Sequence, residues 1–321
     1  MTELRVDPNQ TEAALPLEVT TKELHRLFAR YADRPFVFVR PGGNAGDQLI
    51  YLGADKLARL VGLEVSTVPF EEFMGAEYGR EVVLYLHGGG GFNPIWSGKP
   101  MESLRKAARH KGVVVQGPQT FWKDEAFLRE QVVGAVSDWE CERLVLMTRE
   151  RVSYDALAPL VPDGVECVLD HDTATNLTRG DLAEWLPGRS GQYTFYAIRE
   201  DKEARAVDQR ALFSVWRDPV QRGQTFEGWL RLHAEAKEIV TNRLHSSICG
   251  SILGIPTTLL PNSYFKNRAV WERSLSARGV GWSDRIEVDA PSRILGRVRP
   301  LRDVMRRGRM QRLVQRFHGV G

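Results

Sequence analysis

Short runs of β-branched and other apolar residues recur along the chain, and each ends in a cluster of glycine or polar residues. Stretches with helical patterning, such as residues 48–61 and 227–237, lie between them. Continuous apolar runs that alternate with helices predict parallel sheets covered on both faces, and hence an α/β protein. The runs are Phe36–Val39, Val82–Leu86, Val113–Gln116, Leu144–Met147, Cys167–Leu169, Tyr193–Ile198, Ile239–Thr241 and Thr257–Leu260.

The length and one linker predict two domains. A chain of 321 residues exceeds what a single hydrophobic core usually serves. The segment Leu186–Gln192 contains a proline and two glycines, and the strand pattern restarts after it. We predict Rossmann-like domains over residues 1–188 and 189–299 that face each other across a cleft. Ligands of open parallel sheets bind beyond the carboxyl ends of the strands, so the polar loops should face one site.

Composition and the three cysteines narrow the class of protein. Charged residues make up 26% of the chain and the net charge is only +3, which fits an ordinary globular protein and does not by itself indicate nucleic-acid binding. Cys141, Cys167 and Cys249 are too widely spaced for a disulfide framework or a zinc pattern, and they favour a reducing compartment. We see no signal-peptide pattern and no apolar run that approaches the roughly 20 residues of a membrane span. These features predict a cytoplasmic protein.

Two glycine-rich loops follow the first two strand runs. The spacing in Gly42–Asp47 matches neither a dinucleotide fingerprint nor a Walker loop. It predicts an anion-binding turn at a helix start or a plain turn capped by Asp47, and the two are compatible. His87–Phe92 contains four consecutive glycines, which cost conformational entropy and predict close approach of a ligand. A lipase oxyanion loop is similar, but the chain lacks its partner Gly-x-Ser-x-Gly, which argues against a hydrolase.

Charged residues after later strand runs are candidates for chemistry. Arg149 and Arg243 could bind phosphate and carboxylate groups bidentately, although each could also form a structural ion pair. His245 lies at a predicted strand-to-helix junction, and its ordinary pKa suits proton transfer. Asp170–Asp172 offers two carboxylates and an imidazole, but neighbours on an extended loop point in alternate directions. A site lining or an interdomain contact is therefore favoured there, and we predict no metal site.

These pieces, in this order, resemble the polysaccharide pyruvyl transferase family over about residues 35–270. Gln116–Pro118 is shorter than the family's corresponding segment, and Glu150 replaces an aspartate. Both departures affect the acceptor pocket more than the main assignment. The pieces that resemble family motifs are Gly43–Asp47, His87–Phe92, Gln116–Pro118, Arg149–Ser153, Asp172–Ala174, Arg243–Ser246, Gly254–Pro256 and Lys266.

The resemblance implies a GT-B-like fold, an active site in the interdomain cleft and no cofactor. Phosphoenolpyruvate would be the donor substrate, and a hydroxyl pair on a sugar of a surface-polysaccharide repeat unit would accept a pyruvate ketal. His245 would act as acid or base, with Asp172 or His87 as the second proton-handling group. The catalytic candidates are His245, Arg243 and Asp172. The donor-binding candidates are Arg149, Arg243, Leu244, His245, Ser246, Gly89 and Gly90. The residues expected to line the acceptor side or the loops are Asn44, Asp47, His87 and Lys266.

The last part of the chain is strongly basic. Ten arginines and three acidic residues follow from Arg285 onward, and apolar residues from Leu301 to Phe317 recur at helical spacing. This predicts a basic amphipathic helix over residues 300–321, which suits an anionic membrane surface or packing on the protein. An acceptor linked to polyprenyl pyrophosphate would favour a peripheral position at the inner face of the cell membrane. No nucleic-acid partner is expected, because no binding motif accompanies the charge.

Two alternatives to pyruvyl transfer stay open. A GT-B glycosyltransferase of polysaccharide biosynthesis would bind a sugar nucleotide and would ignore phosphoenolpyruvate, since fold alone does not decide chemistry. A non-catalytic subunit of the assembly complex could have kept the fold. The Arg243–Ser246 segment favours pyruvyl transfer, and the joint retention of Asp47, Arg149, Arg243 and His245 argues against lost activity.

Overall fold

The computed structural model describes residues 19–188, 191–204, 214–221 and 223–286. All strand pairs within these residues are parallel, as the apolar runs predict. The strands are β1 Phe36–Arg40, β2 Val65–Pro69, β3 Val83–Leu86, β4 Gly89–Phe92, β5 Val113–Phe121, β6 Arg143–Thr148, β7 Val165–Leu169, β8 Tyr193–Ala197, β9 Val215–Arg217, β10 Ala236–Thr241, β11 Thr257–Leu259 and β12 Gly281–Trp282. The α-helices are α1 Lys22–Arg30, α2 Gln48–Val61, α3 Phe70–Gly75, α4 Gly98–Ala107, α5 Glu125–Phe127, α6 Gly134–Val136, α7 Arg151–Leu157, α8 Phe226–Ala234, α9 Leu244–Leu253 and α10 Lys266–Val270.

The first sheet has the order β2-β1-β3-β5-β6-β7, and β4 pairs with the end of β5. Successive side chains of its central strands point to opposite faces of the sheet. Both faces are covered, so these side chains are buried. Phe38 and Tyr85 pack on one face with Phe28 of α1. Leu84 and Leu146 pack on the other face with residues of α4. This double cover explains why the runs show no alternation of polar and apolar residues.

The second sheet has the order β12-β11-β10-β8-β9. Helices α8 and α9 flank β10, and α9 starts three residues after that strand ends. One apolar cluster joins the two halves of the molecule, since it contains Leu49 of α2, Trp229 of α8 and Ile248 of α9. Helices from both halves of the molecule therefore share one core.

Several elements differ from the sequence expectations. β2 was not predicted, because it is an edge strand whose residues are mostly exposed or half-buried and so carry no apolar run. β4 lies in the predicted glycine loop, and β5 runs on through Gly117-Pro118 to Phe121. The helix expected to reach residue 237 ends at Ala234, because Ala236 already belongs to β10.

The ends of the predicted domains fall partly outside the described residues. The basic helix predicted over residues 300–321 lies outside them, as do residues 287–299. The two sheets lie on either side of residue 188, and the boundary at residues 188 and 189 stays a prediction. Within the described ranges, none of the helices combines the length and the apolar character needed to cross a bilayer.

Candidate active site

A cleft of about 710 Å³ lies where the loops after the strands of the two sheets meet. The first sheet contributes the loop after β1, the β4 glycines and Arg149 after β6. The second sheet contributes residues 199–203 after β8 and the start of α9 after β10. This convergence is the arrangement expected of ligand sites in open parallel sheets.

The loop after β1 forms a capped turn whose carboxylate also faces the cleft. The Asn44 side chain accepts a hydrogen bond from the Gly46 N–H (2.9 Å), and Asp47 Oδ2 accepts one from the Asn44 N–H (2.8 Å). Gly43 has φ +144°, and a Cβ on it would lie 2.4 Å from Asp47 Oδ2, so this close turn requires glycine. The loop after β1 therefore both caps the start of the next helix and lines the cleft.

His245 stands between two carboxylates that come from the other half of the molecule. Its Nδ1 lies 3.1 Å from Asp47 Oδ1, and its Nε2 lies 3.6 Å from Asp172 Oδ2. Burial alone would lower the pKa of His245, but the negative charges of Asp172 and Asp47 outweigh it and raise that pKa above its ordinary value. Gly46 permits the approach, since a Cβ there would lie 3.1 Å from the Cβ of His245. The two carboxylates therefore favour the protonated form of His245, which is the form that can donate a proton.

Arg149 is buried and reaches the cleft with one end of its guanidinium group. Its Nη1 donates to Asp172 Oδ2 (2.6 Å), and its Nε donates to the Thr120 hydroxyl (2.9 Å). Burial would raise the pKa of Asp172, but Arg149 and His245 hold it well below its usual range. Nη2 lies over Gly90, where a Cβ would be only 3.1 Å away. The glycine loop leaves room for this cation at the cleft.

The start of α9 presents hydrogen-bond donors to the same cleft. Ser247 makes the first intrahelical bond, to the Arg243 carbonyl (3.2 Å), so the N–H groups of the three preceding residues have no place in the helix ladder. The Ser246 hydroxyl is buried, lines the cleft and has no partner among the described residues. The Leu244 side chain packs in the shared core, so Leu244 can offer a ligand only its backbone. A helix start of this kind attracts anions.

Arg243 lines the cleft but is held by two carboxylates. Its Nε and Nη2 donate to both oxygens of Asp218 (2.6 and 2.5 Å), and Nη2 also donates to Asp201 Oδ2 (2.9 Å). The structural ion pair considered from the sequence is thus present. The same residue can still orient the start of α9, because it is the residue that precedes the helix.

Lys266 is a buried amine beside the β4 glycines. Its Nζ donates to Glu203 Oε2 (2.6 Å), and a Cβ on Gly90 would lie 3.5 Å from that nitrogen. Burial lowers the pKa of Lys266 to about 8, although the charge of Glu203 opposes the shift. Lys266 and Arg149 therefore place two cationic groups over one glycine.

His87 does not reach the cleft. It follows Val83 and Tyr85 at alternate positions along β3, so its ring continues the face that packs into the core. The rings of Phe38, Tyr51 and Tyr85 lie around it at centroid distances of 4.6 to 5.4 Å. Burial holds the pKa of His87 well below its ordinary value. The strand alternation was a signal that could have separated His87 from the cleft residues.

The Asp170–Asp172 segment sends its side chains in different directions. Asp170 accepts a hydrogen bond from the Leu24 N–H in the first turn of α1 (2.8 Å), His171 Nδ1 lies 2.8 Å from the Ser274 hydroxyl, and Asp172 turns toward Arg149. Across the described ranges, no three histidine, cysteine or acidic side chains are grouped to hold a metal ion.

Several site residues were not singled out from the sequence. Asp218 and Glu203 balance cationic side chains of the cleft, and Trp96 stands at its edge. Arg199 and Asp201 follow the run Tyr193–Ile198, so their position after a strand was a usable signal. Asp218 directly follows β9, a strand that the sequence analysis did not predict, and Trp96 had no such signal.

Comparisons with known proteins identify the family of this chain. A sequence model described as polysaccharide pyruvyl transferase matches residues 44–264. The protein Pyruvyl transferase 1 of Schizosaccharomyces pombe is 26% identical over 262 residues, an alignment that covers 68% of this chain. The alignment spans 64% of the length of that curated relative, which is less than two thirds.

A solved structure shares the fold. A functionally uncharacterised protein from Klebsiella pneumoniae superposes with a TM-score of 0.63 at 21% identity, over 83% of this chain and 99% of the other. Together with the two parallel sheets, this likeness confirms the predicted GT-B-like α/β fold. Because the family model matches more than half of its residues, the chain belongs to the polysaccharide pyruvyl transferase family.

Proposed function

We propose that this protein transfers a pyruvyl group from phosphoenolpyruvate to a pair of sugar hydroxyls of a surface-polysaccharide repeat unit and forms a pyruvate ketal. The observation that carries the proposal is His245, held between Asp47 and Asp172 in a cleft that also presents cationic groups and a helix start. Such a site offers a proton and binding groups for anions, which are the needs of this reaction.

The donor anions match the cationic side of the cleft. Phosphoenolpyruvate carries a phosphate and a carboxylate. The N–H groups at the start of α9 suit one anion, and Arg149 Nη2 with Lys266 suits the other. Arg243 supports the α9 side, where its own charge is balanced by Asp218 and Asp201. No cofactor is needed for this chemistry.

The reaction requires that one proton is added to the donor substrate and that one proton is removed from each of the two sugar hydroxyls. His245 protonates the methylene carbon of the donor, and positive charge develops at C2. One sugar hydroxyl attacks C2 and loses its proton, and the second hydroxyl then displaces phosphate and closes the ketal. His245, neutral after the first step, takes up one hydroxyl proton with Asp172 and Asp47 stabilising its charged form, and the other proton leaves with the phosphate; His87 is enclosed in the core and takes no part.

The acceptor is proposed to be linked to polyprenyl pyrophosphate, with the enzyme in the cytoplasm and peripheral at the inner face of the cell membrane. Residues 300–321 would bind the anionic lipid surface through their arginines. Flotation with anionic liposomes tests this. The full chain should float and a chain lacking residues 300–321 should not, whereas equal flotation would contradict the membrane role.

Phosphate release tests the transfer itself. Purified protein is incubated with phosphoenolpyruvate and a panel of synthetic or lipid-linked glycosides, with His245→Asn as the matched control. We expect acceptor-dependent phosphate release from the wild type and a product heavier by one pyruvate ketal. A melting temperature raised by nucleotide sugars and not by phosphoenolpyruvate, without phosphate release, would assign the cleft to glycosyl transfer instead.

A further inference from the structure

Trp96 is a large aromatic side chain that stands partly in solvent at the cleft. It is 42% exposed and lines the cleft, whereas Leu60 and Met74, the other exposed large apolar residues in the described ranges, do not line it. Water around an aromatic face is unfavourable, so an exposed ring inside a ligand cleft indicates a ligand that covers it.

The indole ring is fixed at its polar edge. Its Nε1 donates to Glu203 Oε1 (2.6 Å), and Glu203 comes from the other half of the molecule and is almost fully buried. The Asn93 side chain accepts from the Trp96 N–H (3.1 Å) and donates to the Gly90 carbonyl (2.6 Å). The loop that carries the ring is therefore tied to the glycine loop. Because the polar edge of the ring already has a hydrogen-bond partner, its two faces remain available for contact with a ligand.

We propose that Trp96 is the platform on which a sugar ring of the acceptor stacks, an inference that rests on the proposed function of the cleft. A pyranose has an apolar face of C–H groups and a rim of hydroxyls, so it can cover an indole face and keep its hydroxyls free to react. Phosphoenolpyruvate has no such face and is drawn instead to the cations.

The hydrogen bonds link this platform to the donor side. Glu203 binds Trp96 through Oε1 and Lys266 through Oε2, and Lys266 lies over Gly90 beside Arg149. One buried carboxylate therefore orients both the aromatic platform and a cation of the donor site. A sugar stacked on Trp96 is held next to the place where the donor is bound.

The test compares Trp96→Ala with Trp96→Phe, which keeps a ring, and with Leu60→Ala as an exposed control away from the cleft. We expect Trp96→Ala to raise the acceptor KM about tenfold or more and to change the KM for phosphoenolpyruvate by less than about twofold. Trp96→Phe should keep most of the acceptor affinity, and Leu60→Ala should match the wild type. An unchanged acceptor KM in Trp96→Ala would overturn the platform.

Binding without turnover separates this inference from the proposed function. Saturation-transfer NMR with methyl glycosides of galactose, glucose and mannose should show transfer to ring C–H protons in the wild type and in Trp96→Phe, and none in Trp96→Ala. A Trp96-dependent signal from uridine diphosphate and none from the glycosides would overturn the sugar platform. Glycoside binding that depends on Trp96, in a wild type that releases no phosphate from phosphoenolpyruvate, would keep the platform and refute the donor.

Discussion

Arg149 and Arg243 line the cleft from corresponding places in the two halves of the molecule, yet they are paired differently. Arg149 follows β6 and donates to a single carboxylate, Asp172, which also faces His245. Arg243 follows β10 and donates to two carboxylates, Asp218 and Asp201. Arg149 is thus coupled to His245 through Asp172, whereas the charge of Arg243 is neutralised by Asp218 and Asp201.

This difference separates two kinds of contribution to one site. Arg149 keeps Nη2 toward the cleft and helps to set the ionisation of the pair formed by Asp172 and His245. Arg243 holds the segment from which α9 starts, and its charge adds little to the field in the cleft. We therefore expect a change at Arg149 to affect both donor binding and the pH profile, and a change at Arg243 to affect mainly donor binding.

Arg149→Leu should have the largest effect. It leaves the buried Asp172 without its main counterion, so the free energy of unfolding should fall by about 3 kcal/mol and turnover should be lost. Asp172 would then pair with His245 alone, which raises the pKa of His245 further. Any residual activity should therefore persist to higher pH than in the wild type.

For Arg149→Leu, denaturant unfolding measures the loss of stability, and initial rates over a pH series measure the change in the pH profile. Arg34→Gln, which removes a partner of Glu142 away from the cleft, is the matched arginine control. Wild-type donor affinity in Arg149→Leu would contradict the assignment of Arg149 to the donor.

Arg243→Gln should have the next largest effect. Asp218 keeps the N–H groups of Glu200 and Val220 as partners, and Asp201 keeps Arg199, so the loss of stability should be smaller than for Arg149→Leu. We expect the KM for phosphoenolpyruvate to rise about tenfold, because the start of α9 is less well held. The descending limb of the pH profile should stay at the wild-type position, and a shift of that limb would break the contrast between the arginines.

Asp47→Asn should act on the pH profile with a moderate effect on rate. The acid must be protonated, so activity falls as pH rises through the pKa of His245. Removal of one of the two carboxylates that raise this pKa should move the descending limb to lower pH. Initial rates from pH 5 to 9 measure the limb, and an unmoved limb would exclude His245 as the group that titrates there.

Gly90→Ala should have the smallest effect. Its Cβ would lie 3.1 Å from Arg149 Nη2 and 3.4 Å from Lys266 Cδ, so both side chains must shift slightly. We expect kcat/KM to fall several-fold, with a melting temperature close to that of the wild type. Gly75→Ala is the matched control, since Gly75 does not line the cleft and a Cβ there meets no atom within 4 Å. Equal activity of the two variants would show that Gly90 tolerates a side chain.

Strands could be predicted from the sequence where burial requires a continuous run of apolar residues. β1, β3 and β6 are buried on both faces and therefore appear as continuous apolar runs. β2 is an edge strand and β4 is mostly glycine, so neither carries an apolar signal although both pair with neighbours. The information that makes these two segments strands lies in the strands beside them.

The sequence predicted which residues lie at the site better than it predicted which of them form ion pairs. Arg149, Arg243 and His245 follow strands, and parallel sheets bring such positions together. Which carboxylate meets which cation depends on tertiary packing, since Asp218 lies 25 residues before Arg243 and Asp172 lies 23 residues after Arg149. His87 also follows a strand, but the alternation along β3 turns its ring into the core.

Isothermal titration of the wild type with phosphoenolpyruvate and, separately, with uridine diphosphate sugars tests the central claim most directly, because it asks which anion the cleft accepts. We predict that phosphoenolpyruvate binds with one site per chain and that the nucleotide sugars do not bind. Binding of a nucleotide sugar, with no heat from phosphoenolpyruvate, would contradict the account.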